Sequence, residues 1–129
     1  MTTSNWTHEA AVAANGITLE HGLQLGLVDE VLKAIEMKST ALDSLFGELL
    51  TMSDMHFGTE EVLMRQHSYP KYHLHVEEHA RLLDLMRGLK VRAATGAPVK
   101  EEVGALRRQI SAHIDGLDGE FETLVRTGA

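Results

Sequence analysis

The chain has 129 residues, 43% apolar and 24% charged, with 12 basic side chains against 19 acidic ones and a formal charge of −7. This describes one domain of an ordinary globular kind, large enough to bury a core without covalent staples, and its acidity argues against nucleic acid, whose binders need a basic footprint. With no cysteine in the sequence, disulfides, thiolate catalysis, zinc ribbons and iron–sulfur clusters are all excluded.

Residues 1–16 are polar and contain Ala and Gly without a sustained period, and read as an N-terminal arm. They lack the basic n-region and apolar h-region of a secretory signal, and no later run of about 20 apolar residues is present to span a bilayer. The expected setting is cytoplasmic, with no membrane partner.

Four amphipathic helices follow, over about 17–37, 41–66, 70–91 and 99–118. The first carries the stripe Ile17, His21, Leu25, Val28, Leu32 and Ile35. Gly22 and Gly26 lie within it at a cost of about 1 kcal/mol each relative to Ala, which suggests a close helix contact. The second follows a Ser39-Thr40 cap signal, with Leu42, Leu45, Leu49, Met52, His56, Glu60 and Leu63 on one face. Pro70 suits the first turn of the third helix, whose stripe is Tyr72, His75, His79, Leu82, Met86 and Leu89. After a Gly/Pro loop over 93–98, the fourth helix presents Val103, Leu106, Ile110, His113 and Leu117, and residues 120–125 add a short tail. Short connections between four such helices predict an all-α, up-down-up-down four-helix bundle as a single domain over 1–129. Met37, Met52, Met55, Met64 and Met86 are expected to pack within it.

Polar residues interrupt these apolar stripes. His21, His56, Glu60, His75, His79 and His113 occupy core positions, and Asp118 lies just beyond. A buried, unpaired carboxylate costs several kcal/mol or takes up a proton, so several of them would consume most of a domain's net stability of about 5–15 kcal/mol. His56 and Glu60, and likewise His75 and His79, are four apart and share a helical face. His113 and Asp118 are five apart, about 140° around an ideal helix, so the fourth helix should be distorted or end near Asp118. Five imidazoles and two carboxylates suit a borderline metal rather than Mg²⁺ or Ca²⁺, and they are enough for two ions. A metal-free network of paired histidines and carboxylates, or a di-metal centre other than iron, would also use these residues. His8, His67 and His73 are expected at the surface, and Glu77 or Glu78 could support an imidazole from outside.

One His, then His-x3-Glu, His-x3-His and His-x4-Asp, at His21, His56 to Glu60, His75 to His79 and His113 to Asp118, resembles the hemerythrin family. His56-Phe57, Glu60-Glu61, Met64, Tyr69-Pro70, His113-Ile114 and the approach from Trp6 and Gly16-Ile17 are similar to it as well. The resemblance implies two irons with an oxo or hydroxo bridge. His75, His79 and His113 would hold one iron and His21 and His56 the other, with Glu60 and Asp118 bridging. It also implies dioxygen binding at the two-histidine iron, in an apolar pocket sought at Leu25, Phe57, Ile110 and Ile114. Thr18 (where the family often has Asp), Glu20, and Gln109 (where a Trp is common) depart from the pattern and bear on pocket size and polarity.

The function this implies is reversible oxygen carriage, storage or delivery without turnover, by a protein that is monomeric by default. An oxygen, redox or nitric oxide sensor acting through an unknown protein partner, or a weak oxidase or peroxidase, are the alternatives. The absence of any Glu-x-x-His, the motif of ferritin-like di-iron enzymes, counts against the enzymatic one.

Overall fold

The computed structural model describes the backbone of residues 3–127 and the side chains of residues 16–125. Helix α1 spans Thr3–Met37, α2 Leu42–Gln66, α3 Tyr72–Ala94 and α4 Lys100–His113. A π-helical turn, Ile114–Asp118, then leads straight into α5, Gly119–Thr127. Each of the first three helices packs on the next, and α4 and α5 return against α1 to close an all-α four-helix bundle. No helix among the described residues is long and apolar enough to cross a membrane.

The arm expected over 1–16 is helical backbone from Thr3 onward, continuous with α1. Ala10, Ala11, Ala13 and Ala14 have the highest helix propensity and no Pro interrupts them, so this stretch can be helical without an amphipathic period. The side chains of Trp6 and His8 lie outside the described residues. The other boundaries fall close to expectation. Pro70 precedes α3 rather than opening it, and α3 continues to Ala94, beyond the expected end at 91. Ser39 Oγ accepts a hydrogen bond from the Ala41 backbone N–H at 3.1 Å, so it caps the turn before α2 and not the helix itself.

The first three helices stop in the same way. Lys38, Ser68 and Gly96 take positive φ values of 51°, 50° and 85°. The next residue in each case donates its N–H five residues back: Ser39 to Ala34, Tyr69 to Met64 and Ala97 to Arg92. These are Schellman closures, in which a left-handed residue lets the chain turn and satisfies a terminal carbonyl.

The buried face of α1 lies to one side of the predicted stripe. Ile17, His21 and Val28 are buried as expected, but Gln24, Val31 and Ala34 take the places expected of Leu25, Leu32 and Ile35, which are half-buried. Gly22 and Gly26 are exposed, and a Cβ at either would meet nothing within 4 Å. They are not a close helix contact; they border a shallow groove with Leu23, Leu27 and Met52. Met64 and Met86 are core residues, whereas Met37 and Met55 are exposed, because they fall on the outer faces of α1 and α2.

The core has two parts. A large cluster includes Val28, Phe46, Leu49, Phe57, Leu82, Met86, Leu106 and Ile110. A smaller one joins Met64 and Tyr69 to Phe121 and Val125 of α5. The polar positions of the four stripes fall between them along the helices.

Candidate metal centre

Seven polar side chains meet inside the bundle. His21, His56, Glu60, His75, His79, His113 and Asp118 are each 5% exposed or less. Each helix presents its donors through ordinary helical spacing except the last. There, the π turn supplies i→i+5 hydrogen bonding and brings Asp118 round to the face of His113. The distortion expected from the five-residue spacing is therefore present, and Asp118 Oδ1 lies 3.0 Å from His113 Nε2.

The donor atoms form two groups, each with all its atoms within 4.8 Å of one another: His21, His56, Glu60 and Asp118, and Glu60, His79, His113 and Asp118. Glu60 and Asp118 belong to both. His75 joins through Nε2, 3.3 Å from Asp118 Oδ1. Glu60 reaches His56 Nε2 at 3.4 Å and His79 Nε2 at 3.3 Å through one oxygen, and His21 Nε2 at 3.4 Å through the other. Asp118 also lies 3.0 Å from His21 Nε2.

Mutual pairing does not satisfy these groups. His79 Nε2 and His113 Nε2 face each other at 3.1 Å, where at most one can donate. His56 Nε2, His75 Nε2, Glu60 Oε1 and both Asp118 oxygens are buried without a hydrogen-bond partner. Each such atom costs about 1–3 kcal/mol when left unmade. All of them face inward, and imidazole nitrogens with carboxylate oxygens are the donors a borderline divalent cation takes. The residues fit a metal centre.

The electrostatics agree. Burial disfavours the charge on Glu60, and the Asp118 carboxylate adds to this against the opposing pull of His21, so its pKa lies well above the usual carboxylate range. Burial would also raise Asp118, but the His113, His21 and His75 imidazoles, at 3.0, 3.0 and 3.3 Å from its oxygens, hold it low. Burial pulls His21 down, yet Asp118 and Glu60 outweigh it and raise the group to about 9. Burial and the neighbouring His113 push His79 down to about 3. Two carboxylates and several imidazoles compete here for few protons, an arrangement that cations resolve by displacing them.

Three of the outer ring nitrogens are also held, whereas His113 Nδ1 is buried without a partner. His56 Nδ1 donates to Glu20 Oε1 at 2.8 Å and His79 Nδ1 to Glu61 Oε2 at 2.7 Å. His75 Nδ1 lies 3.3 Å from the Lys71 carbonyl. Such partners fix the tautomer so that Nε2 presents its lone pair inward. The supporting carboxylates are thus Glu20 and Glu61, and not Glu77 or Glu78. Glu77 is exposed, and Glu78 pairs with Arg81. Glu20 and Glu61 each sit beside a ligand in the sequence, but so does Glu78 beside His79, so spacing alone does not single them out. Thr18 is bonded to Glu122 at 3.0 Å, and Glu122 lies 3.8 Å from His21 Nδ1. His73 is exposed and His67 half-buried, and neither belongs to a donor group.

The expected pocket residues gather at one side. Phe57 stacks on His79 with ring centroids 4.1 Å apart and planes 6° apart. Phe57 and Ile110 are buried in the large cluster, with Leu25 and Ile114 packed against it. Gln109 accepts a hydrogen bond from Arg81 and lines a surface pocket of about 390 Å³ beside His113, Gly116 and Leu117. Gln24 and Ser53, which the sequence reading passed over, are fully buried one turn from His21 and His56.

Searches of curated proteins and of solved structures find no match to the chain. The family model described as the hemerythrin HHE cation binding domain matches residues 12–125, nearly the whole of the bundle and all seven inward donors, and the chain belongs to that family.

Proposed function

We propose that this protein binds dioxygen reversibly at a non-heme di-iron centre, as a carrier, store or delivery protein that turns over no substrate. The observation that carries the reading is the sharing of Glu60 and Asp118 between two donor groups enclosed by the bundle. His75, His79 and His113 would hold one iron, His21 and His56 the other, and the two carboxylates would bridge them. Three imidazoles on one side and two on the other leave the second side with an open position. When bound, a ferrous pair supplies the two electrons that reversible dioxygen binding draws on.

The rest is the work of the chain. Glu20 and Glu61 orient His56 and His79. Phe57, Ile110, Leu25 and Ile114 exclude water from the interior and so disfavour loss of the bound ligand in a charged form. The same reading makes the protein a cytoplasmic monomer.

The test is to reduce the iron-loaded protein without oxygen, admit air, sparge with argon and count iron in the same sample. A visible band that rises with air and fades with argon, at two irons per chain and absent from His21→Ala and His113→Ala, is the expected result. An irreversible ferric spectrum would refute carriage while leaving the di-iron centre. A chain that takes up no iron would refute the centre as well.

A further inference from the structure

Outside the seven donors and the imidazoles' outer atoms, the unpartnered buried side-chain atom among the described residues is Gln24 Oε1. Gln24 and Ser53 are both fully buried, and the Gln24 amide nitrogen donates to Ser53 Oγ at 2.9 Å across α1 and α2. That hydrogen bond fixes the amide and leaves its oxygen free. The next buried positions along the two helices, Val28, Leu49 and Phe57, are apolar and offer it nothing. A buried carbonyl without a donor costs about 1–3 kcal/mol, and Leu or Met would fill the same space without that cost.

Its position suggests what it serves. Gln24 lies three residues after His21 and Ser53 three before His56, so the pair forms the layer directly next to the His21–His56 layer. Helical side chains lean toward the N-terminus of their own helix, which carries the long Gln24 side chain toward His21. His21 and His56 share a donor group with Glu60 and Asp118, and the di-iron reading makes theirs the side with fewer imidazoles because the His75 ring neighbours His79 and His113.

We propose that Gln24 is the hydrogen-bond acceptor for a small protic oxygen ligand, of the water or hydroperoxide class, held on the His21–His56 side of the centre. This rests on the di-iron reading above. Ser53 is the positioning residue: it anchors the amide end of Gln24 through the nitrogen, with the oxygen turned to the other side. The preference that follows is for ligands that bring a proton over bare anions, because a carbonyl oxygen opposes an anion that has none to donate.

The test titrates the iron-loaded, air-oxidised protein with azide, followed by its visible absorption, in wild type, Gln24→Met and Ser53→Ala. Azide must displace the water that Gln24 holds and cannot replace its hydrogen bond. Gln24→Met is therefore expected to bind azide about tenfold more tightly, the equivalent of one lost hydrogen bond. Ser53→Ala, which frees the amide to turn, is expected to shift in the same direction by a smaller factor, and it serves as the test if Gln24→Met does not fold. A purely structural glutamine would let Gln24→Met raise the melting temperature with azide affinity unchanged, and that result overturns the proposal. A crystal structure of the wild-type protein gives a reading independent of iron chemistry. An ordered oxygen atom within about 3.2 Å of Gln24 Oε1, on its His21 side, is expected; an Oε1 with no such neighbour overturns the proposal. Failure of wild type to bind iron would instead count against the di-iron reading, and the crystal structure would still decide the role of Gln24.

Discussion

Deleting Gly116 should leave this protein folded, which is unusual for a deletion inside a helix. In an uninterrupted α-helix, at about 100° per residue, Asp118, Phe121 and Val125 would stand about 140°, 80° and 120° around from His113. All three are nevertheless buried on the His113 side, at 1%, 1% and 0% exposure. The π turn over Ile114–Asp118 absorbs one extra residue, so each behaves as though one step nearer, at about 40°, 20° and 20°. Removing Gly116 takes out that extra residue. The segment can then close as plain α-helix with Phe121 and Val125 still in their cluster. It also removes an exposed helical glycine worth about 1 kcal/mol. Against this stands a shift of the Asp118 carboxylate, so the net change in unfolding free energy should stay within about 2 kcal/mol. If the deletion instead rotated the chain beyond it, Phe121 would leave the core at about 3–5 kcal/mol, with Val125 in addition. Urea denaturation of the metal-free variant, followed by circular dichroism, separates the two. A loss above about 4 kcal/mol, or of the cooperative transition itself, would refute the account of the π turn as an absorbed residue.

The remaining predictions concern the metal-free protein's pH profile, a helix end and an outer carboxylate. His79, held near 3 against an ordinary 6.5, binds a proton in the unfolded chain but not the folded one, so stability falls as pH drops from 6.5 toward 3. His56 acts in the same direction, and Glu60, whose raised pKa opposes them, makes the decline shallower. His21, raised to about 9, contributes stability that is complete below 6.5 and is lost as pH rises through 9, so urea midpoints should peak near 6.5 and decline on both sides. A midpoint rising steadily from 6.5 to 9 would contradict the His21 environment. Ser68→Gly should raise stability by about 1 kcal/mol, because Ser68 holds φ 50° in the closure of α2; an unchanged thermal midpoint would show that the turn is unstrained. Glu61→Ala should weaken metal affinity about 10–100-fold in competition with a chelator, with Glu61→Gln nearly as damaging; wild-type affinity in both would remove the outer carboxylate from the centre's support.

The fold was legible because the α3 stripe and most of the α4 stripe obey their period so closely: every predicted residue from His75 to Leu89 is buried. Helix α1 was less so. Its many Leu residues allow two adjacent stripes, and the choice between them is made by packing. Taking Leu25 over Gln24 follows hydrophobicity, whereas the bundle buries a polar pair there, Gln24 with Ser53. The N-terminal helix was missed because its alanines form helix by propensity, with no amphipathic period to detect. The donors could be read from spacing, including the conflict at His113 and Asp118, and that conflict marked the π turn. Glu20 and Glu61 could not, since acidic residues next to ligands are indistinguishable in sequence from solvated ones such as Glu77. Only the placement of a neighbouring helix decides which of them meets an imidazole.

That placement gives the centre its charge balance. Four carboxylates lie within 3.4 Å of imidazole nitrogens: Glu60 and Asp118 from inside, Glu20 and Glu61 from outside. Under the proposed occupancy, two divalent ions bring four positive charges, which these four groups match before a bridging oxygen is counted. Neutrality matters because the interior is dry: an uncompensated charge there carries a desolvation penalty of several kcal/mol, whereas a balanced cluster does not. The inner carboxylates alone would leave the ions half compensated, so the outer pair does more than aim imidazole rings. Glu61 is half-buried and burial raises its pKa, so its ionised form is kept at some cost without a nearby cation. A cation beyond His79 offsets that cost, and the carboxylate in turn strengthens the imidazole as a donor. Glutamine at this position would still accept the hydrogen bond from His79 Nδ1 but would bring no charge. The loss expected of Glu61→Gln is therefore a measure of charge, and the further loss in Glu61→Ala a measure of orientation.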